Sequence, residues 1–216
     1  MARSSEEDKF SEICELLKEG LCTSLNEPCL KSNPKNCAWH HHYNWLQLVP
    51  GEPPINADIK QKIFPKALAK WKGGRNMTAR PLEDSLKEVF DYHLKDLDVQ
   101  INVRKQKKII DGFNPIVGVS IKKDGYPTSF ILAKTYLGTG ELRECFGNAY
   151  FMKVLLGSKD TRCFVVTIDK FRTSVRELIK LSGPFFDGVY SLSDNPPVDD
   201  LVRVLRILYD SREGST

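Results

Sequence analysis

Past residue 80 the chain alternates helical and strand-like apolar patterns with short polar punctuation. Leu82, Leu86, Val89, Phe90, Leu94 and Leu97 recur at spacings of three and four. That is the pattern of a helix with one apolar face, and Pro81 suits its first turn. Val99, Ile101 and Val103 then alternate with polar residues, which predicts a half-buried strand, and Lys107–Asp111 predicts a short second one. Val117, Val119 and Ile121 alternate again, Asp124-Gly125 turns the chain, and Ser129–Tyr136 returns as the second arm of a hairpin. Leu142, Cys145, Phe146, Ala149 and Met152 mark another helix. Cys163–Ile168 is a nearly unbroken apolar run, as a strand covered on both faces requires. Ser174 and Glu177 are spaced as a capping box for a third helix, which Gly183-Pro184 would stop. Gly188–Leu192 predicts a short strand. After Pro196-Pro197 a last helix carries Val198, Leu201, Val202, Leu205 and Leu208 on one face.

This order predicts an α/β (α+β) fold, a mixed central sheet flanked by helices. Residues 1–80 have a different texture. They hold four of the six cysteines, the His40-His41-His42 run and all three tryptophans, with little periodicity. Gly73-Gly74-Arg75-Asn76 is the expected junction, dividing the chain into an irregular Cys/His-containing part, 1–80, and a core, 81–216.

Composition narrows the function only a little. Of 216 residues, 41% are hydrophobic and 28% charged, enough to build a real core. Lys plus Arg number 32 against 28 Asp plus Glu, a net of +4 that permits nucleic-acid binding without requiring it. No apolar run approaches the ~18 residues of a membrane helix. The polar opening MARSSEEDKF leads into no secretion signal. The expectation is a cytoplasmic protein without a membrane partner, in which cysteines are thiols or metal ligands rather than disulfides.

The stretch from Asp111 to Lys134 carries the chemistry. An acid closes one strand, a hairpin follows, and a lysine stands in the strand Phe130-Ile131-Leu132-Ala133-Lys134, where a charge requires a reason. Phosphodiester hydrolysis uses these types. A carboxylate holds a hard divalent cation through oxygen, the metal polarises the phosphate and acidifies a bound water, and an ammonium offsets charge beside it. A second registration, with Lys122 of Ser120-Ile-Lys122 as the ammonium, fits less well because the Asp124-Gly125 turn follows directly.

A strand-borne Asp, a hairpin and a strand ending in x-Lys, set in a helix, strand-meander, helix, strand order, resembles the PD-(D/E)xK nucleases, the fold of many type II restriction enzymes. The resemblance covers residues 81–216. It implies a sequence-specific, Mg²⁺-dependent endonuclease on double-stranded DNA, working as a homodimer because a palindromic site presents two strands about a twofold axis. It also implies Asp111, Lys134 and Glu144 as catalytic residues, with the metal held by Asp111, Glu144, the Ala133 carbonyl and Glu141. Two departures stand out. Ile110 replaces the usual proline, and Leu132 replaces the acid two positions before the lysine. Some members of the family place the displaced acid on the following helix. Glu144 and Glu141 share a stripe there with Asn148, and Glu88 or Glu83 on the preceding helix could add a further carboxylate.

Elsewhere, Cys22, Cys29, Cys37 and His40 could hold Zn²⁺ through three thiolates and an imidazole, although their spacing lacks a Cys-x-x-Cys knuckle; incidental thiols are the other reading. Lys66, Lys70, Lys72, Arg75 and Arg80 form a basic run suited to DNA phosphates or simply to solvent, and Asn76 and Arg80 could reach base edges. Two other functions fit the same residues. One is a repair or junction-resolving nuclease of the same fold. The other is a DNA-binding protein that Leu132 has left without activity.

Overall fold

The computed structural model describes residues 50–70, 79–101, 118–122, 129–155 and 161–210, together with three two-residue strands before them. Those strands, β1 (Leu17–Lys18), β2 (Leu21–Cys22) and β3 (Glu27–Pro28), form a small antiparallel meander.

The larger unit begins with α1 (Pro54–Asp58), a π-helical turn at Ile59–Ile63, and α2 (Phe64–Ala69). Pro65 has no N–H for the carbonyl four residues back, and the widened turn accommodates that loss. Next come α3 (Ala79–His93), β4 (Asp98–Ile101), β5 (Val119–Lys122) and β6 (Ser129–Lys134). The order closes with α4 (Thr139–Leu155), β7 (Arg162–Thr167), α5 (Thr173–Lys180), β8 (Gly188–Ser191) and α6 (Val198–Asp210). The five strands β4 to β8 make one mixed sheet in sequence order. β4, β5 and β6 are antiparallel, whereas β7 and β8 join β6 in parallel. The protein is thus α+β, a mixed five-stranded sheet flanked by helices.

Strand alternation splits the core in two. Ile131 and Ala133 of β6 face a cluster with Phe164 and Val166 of β7, Leu86 and Phe90 of α3, and Leu201 and Leu205 of α6. Phe130 and Leu132 face the other side, with Leu142, Cys145 and Ala149 of α4 and Val175 of α5. β6 and β7 are covered on both faces, which explains their continuous apolar runs. Ile59, Phe64 and Leu68, which precede the expected junction, lie in the same cluster as α3 and α6. They are tied there by polar contacts. The Asp199 carboxylate accepts the N–H groups of Ile55 (2.8 Å) and Asn56 (3.0 Å), and Asn56 Oδ1 accepts the N–H of Val198 (3.0 Å).

Several local expectations meet a different outcome. The Ser174–Glu177 capping box does not form: α5 opens with Arg172 at its N-cap and no side-chain cap, and Glu177 pairs with Lys180 at 2.8 Å. The returning hairpin strand ends at Lys134, two residues before Tyr136. Helix α3 stops at His93, and Leu94 and Leu97 pack from the turn that follows. Val103, Lys107–Asp111, Val117, the Asp124-Gly125 turn and the 73–76 junction lie outside the described residues. Among the described residues no helix is long and apolar enough to cross a membrane.

Candidate active site at the end of the central strand

Alternation along β6 decides where Lys134 points. Phe130 and Leu132 enter the core beneath α4, so Lys134 continues that face at the strand's end, where α4 begins. Its Nζ lies 2.9 Å from Glu144 Oε1, one and a half turns into α4. The ammonium is largely enclosed, with 17% of its side chain exposed, while Glu144 is 43% exposed. The sheet therefore supplies the cation and the following helix supplies the acid.

Gly138 directly precedes α4. Glu141 Oε2 accepts the Gly138 N–H at 3.1 Å, and a Cβ at Gly138 would require the ends of Glu141 and Tyr136 to shift. Glu141 thus caps its own helix, and it is not the acid that meets Lys134. Asn148, on the same stripe, is buried.

A second carboxylate arrives from α3. Glu83 Oε1 lies 3.2 Å from where a Cβ on Gly118 would stand, at a point also 3.2 Å from the Ala133 amide nitrogen. The nearest atom to that point is the Ile131 carbonyl oxygen, 2.9 Å away, so glycine at 118 lets β6 pass close, with Glu83 beside the gap. Glu83 is also 3.7 Å from Arg80, which in addition pairs with Asp84 at 3.2 Å. Glu88 takes a different place, exposed and 3.7 Å from Lys66. Of the two α3 acids, Glu83 is the one near the strand end.

Leu132, where the resemblance expects an acid, is buried, 3% exposed, and packs beneath α4. Lys122 lies opposite Asp98 at the other end of the hairpin from Lys134. Asp111 lies outside the described residues, as do Cys29, Cys37, His40, Lys72, Arg75 and Asn76, while Cys22 is described only as a backbone position in β2. Lys70 is exposed at the end of α2. Among the described residues no three His, Cys, Asp or Glu side chains group as they would around a metal ion.

The neighbouring strand ends carry groups that sequence reasoning passed over. Lys134, Thr167 and Ser191 stand in register across β6, β7 and β8. Ser191 Oγ donates to the Asp169 carbonyl at 2.6 Å, and Thr167 Oγ1 accepts the Asp169 N–H at 3.2 Å. Asp169 is buried, and its Oδ2 has no hydrogen-bond partner among the described residues. Burial pushes this carboxyl up from the usual range, against the Lys170 N–H and the Arg172 charge, which pull it down. An acid directly after an apolar strand run was the available signal. No local signal announced Arg172, whose guanidinium lies 5.4 Å from the Tyr136 ring centre.

Cysteine nucleophiles do not fit this site. Cys145 packs beneath α4, and burial pushes its thiol up to about 12, with Lys134 lowering it and Glu144 and Glu141 raising it. Cys163 is likewise buried, its thiol pushed up to about 12. Neither supplies a thiolate near neutral pH. No family model, curated protein or solved structure matches the chain.

Proposed function

We propose that the chain is a divalent-metal-dependent endonuclease of double-stranded DNA, resembling the PD-(D/E)xK restriction enzymes and acting as a homodimer on a short palindromic site. The observation that carries the reading is the Lys134–Glu144 contact, 2.9 Å, at the end of the central strand. An apolar strand delivers the ammonium, and the acid absent at position 132 has a counterpart on the next helix. The order α3, β4, β5, β6, α4, β7 supports the same reading, with an antiparallel meander followed by a parallel strand.

The donors present suit a hard cation, being carboxylate and carbonyl oxygens. As the resemblance implies, Asp111, Glu144 and the Ala133 carbonyl would hold Mg²⁺. A bound Mg²⁺ polarises a phosphate and acidifies a coordinated water. Lys134, held by Glu144, would orient an attacking water and offset charge gathering on the phosphate oxygens. Its shielding from solvent strengthens that interaction.

Incubation of the protein with genomic and plasmid DNA, in Mg²⁺ and separately in EDTA, tests the reading. Discrete fragments in Mg²⁺ alone are expected. Cleavage confined to branched or mismatched substrates would replace restriction with repair or junction resolution. A second reading, DNA binding without cleavage, is favoured by the buried Leu132; duplex binding with no cutting in Mg²⁺ or Mn²⁺ would establish it.

A further inference from the structure

Two exposed cations follow β7, Lys170 and Arg172, that the proposed chemistry leaves unused, and of these Arg172 is the one seated against an aromatic ring. Arg172 is exposed in the turn between β7 and α5, with its guanidinium over the Tyr136 ring, 5.4 Å from the centre. Tyr136 stands two residues after Lys134. Several other charged groups around the ends of β6 and β7 are committed: Glu144 to Lys134, Glu141 to the Gly138 N–H, and Asp194 to Arg176 and the Phe171 N–H. Asp169, three residues before Arg172, acts on it only through space. No carboxylate pairs with Arg172 among the described residues.

Contact with a ring face limits the motion of a guanidinium while leaving N–H groups open, so less side-chain freedom is lost when an anion binds. A phosphodiester matches that fork in charge and geometry. We propose that Arg172, held on Tyr136, binds a backbone phosphate of the same duplex whose scissile phosphate faces Lys134 and Glu144. It is a positioning residue, and the proposal rests on the nuclease reading.

The test is a binding titration of the full chain with a mixed-sequence duplex of about 30 bp in EDTA, repeated between about 20 and 200 mM KCl. Arg172→Ala is expected to flatten the slope of log K against log[KCl] by about 0.9, the share of one phosphate. Arg172→Lys keeps the charge and is expected to stay nearer the wild-type slope. Lys180→Ala removes the same charge at the other end of α5, where Lys180 pairs with Glu177, and is expected to leave the slope unchanged. Thermal melts confirm that each variant folds. A wild-type slope in Arg172→Ala, or equal flattening in Lys180→Ala, overturns the Arg172 assignment and leaves the nuclease reading standing. A wild-type chain that binds no duplex even at the lowest salt overturns both.

Discussion

At the scale of single residues, exposure decides what the Lys134–Glu144 pair is for. With the Glu144 side chain 43% exposed, water screens the attraction, and such pairs contribute about 0–1 kcal/mol. Lys134→Ala and Glu144→Ala should therefore each cost less than about 1 kcal/mol in urea unfolding. A cost above about 3 kcal/mol would mark the pair as structural instead. Asp169 makes the opposite kind of prediction. Burial raises its folded-state pKa above the unfolded one, so folding penalises the ionised form. The penalty is absent below the unfolded carboxyl pKa, grows as pH rises toward the raised folded value, and is complete above it. Asp169→Asn should accordingly raise the melting temperature at pH 7, with the gain shrinking toward zero at about pH 3. A lower melting temperature at pH 7 would show that the carboxylate has a stabilising task.

Between elements, Asp187 is the junction to test. It receives the Cys163 N–H (2.8 Å), Arg162 (2.8 Å) and Lys153 (2.9 Å), joining the start of β7, the entry to β8 and the last turns of α4. Burial alone would raise this carboxyl, but the three donors outweigh it and hold it below the usual range. Its stabilisation is present above the unfolded pKa and is lost as pH falls through the depressed folded one. Asp187→Asn should cost about 2 kcal/mol near neutral pH and progressively less in acid. An equal cost at all pH values would mean that shape, not charge, is what the residue supplies. Helix faces and buried strands were legible in the sequence because each rests on a period that the core enforces, as in β7 or the Leu201, Val202 and Leu205 stripe of α6. The start of α5 was not. Ser174 and Glu177 had capping spacing, but the turn after β7 places Arg172 at the N-cap, so the helix begins before the motif could act.

For the molecule as a whole, the candidate site was legible only in part. Lys134 was visible as a charge in an apolar strand, and Glu144 was expected only because the resemblance moves the displaced acid to the following helix. The approach of Glu83 to Gly118 and the Arg172–Tyr136 contact join segments far apart in the chain, and no local pattern encodes such meetings. A palindromic substrate calls for two copies. Light scattering should give a mass near twice 24.6 kDa for the protein component on a cleavable duplex. A single chain per duplex would leave each strand needing its own binding event. The central claim is that Lys134 and Glu144 act on a phosphodiester, and the most direct measurement compares plasmid cleavage in Mg²⁺ by wild type, Lys134→Ala and Glu144→Ala at matched folded concentration. The account predicts cutting by the wild type and a loss of about 100-fold or more in each variant. Variants that cut as fast as the wild type, or a wild type that leaves plasmid and genomic DNA intact in both Mg²⁺ and Mn²⁺, would contradict it.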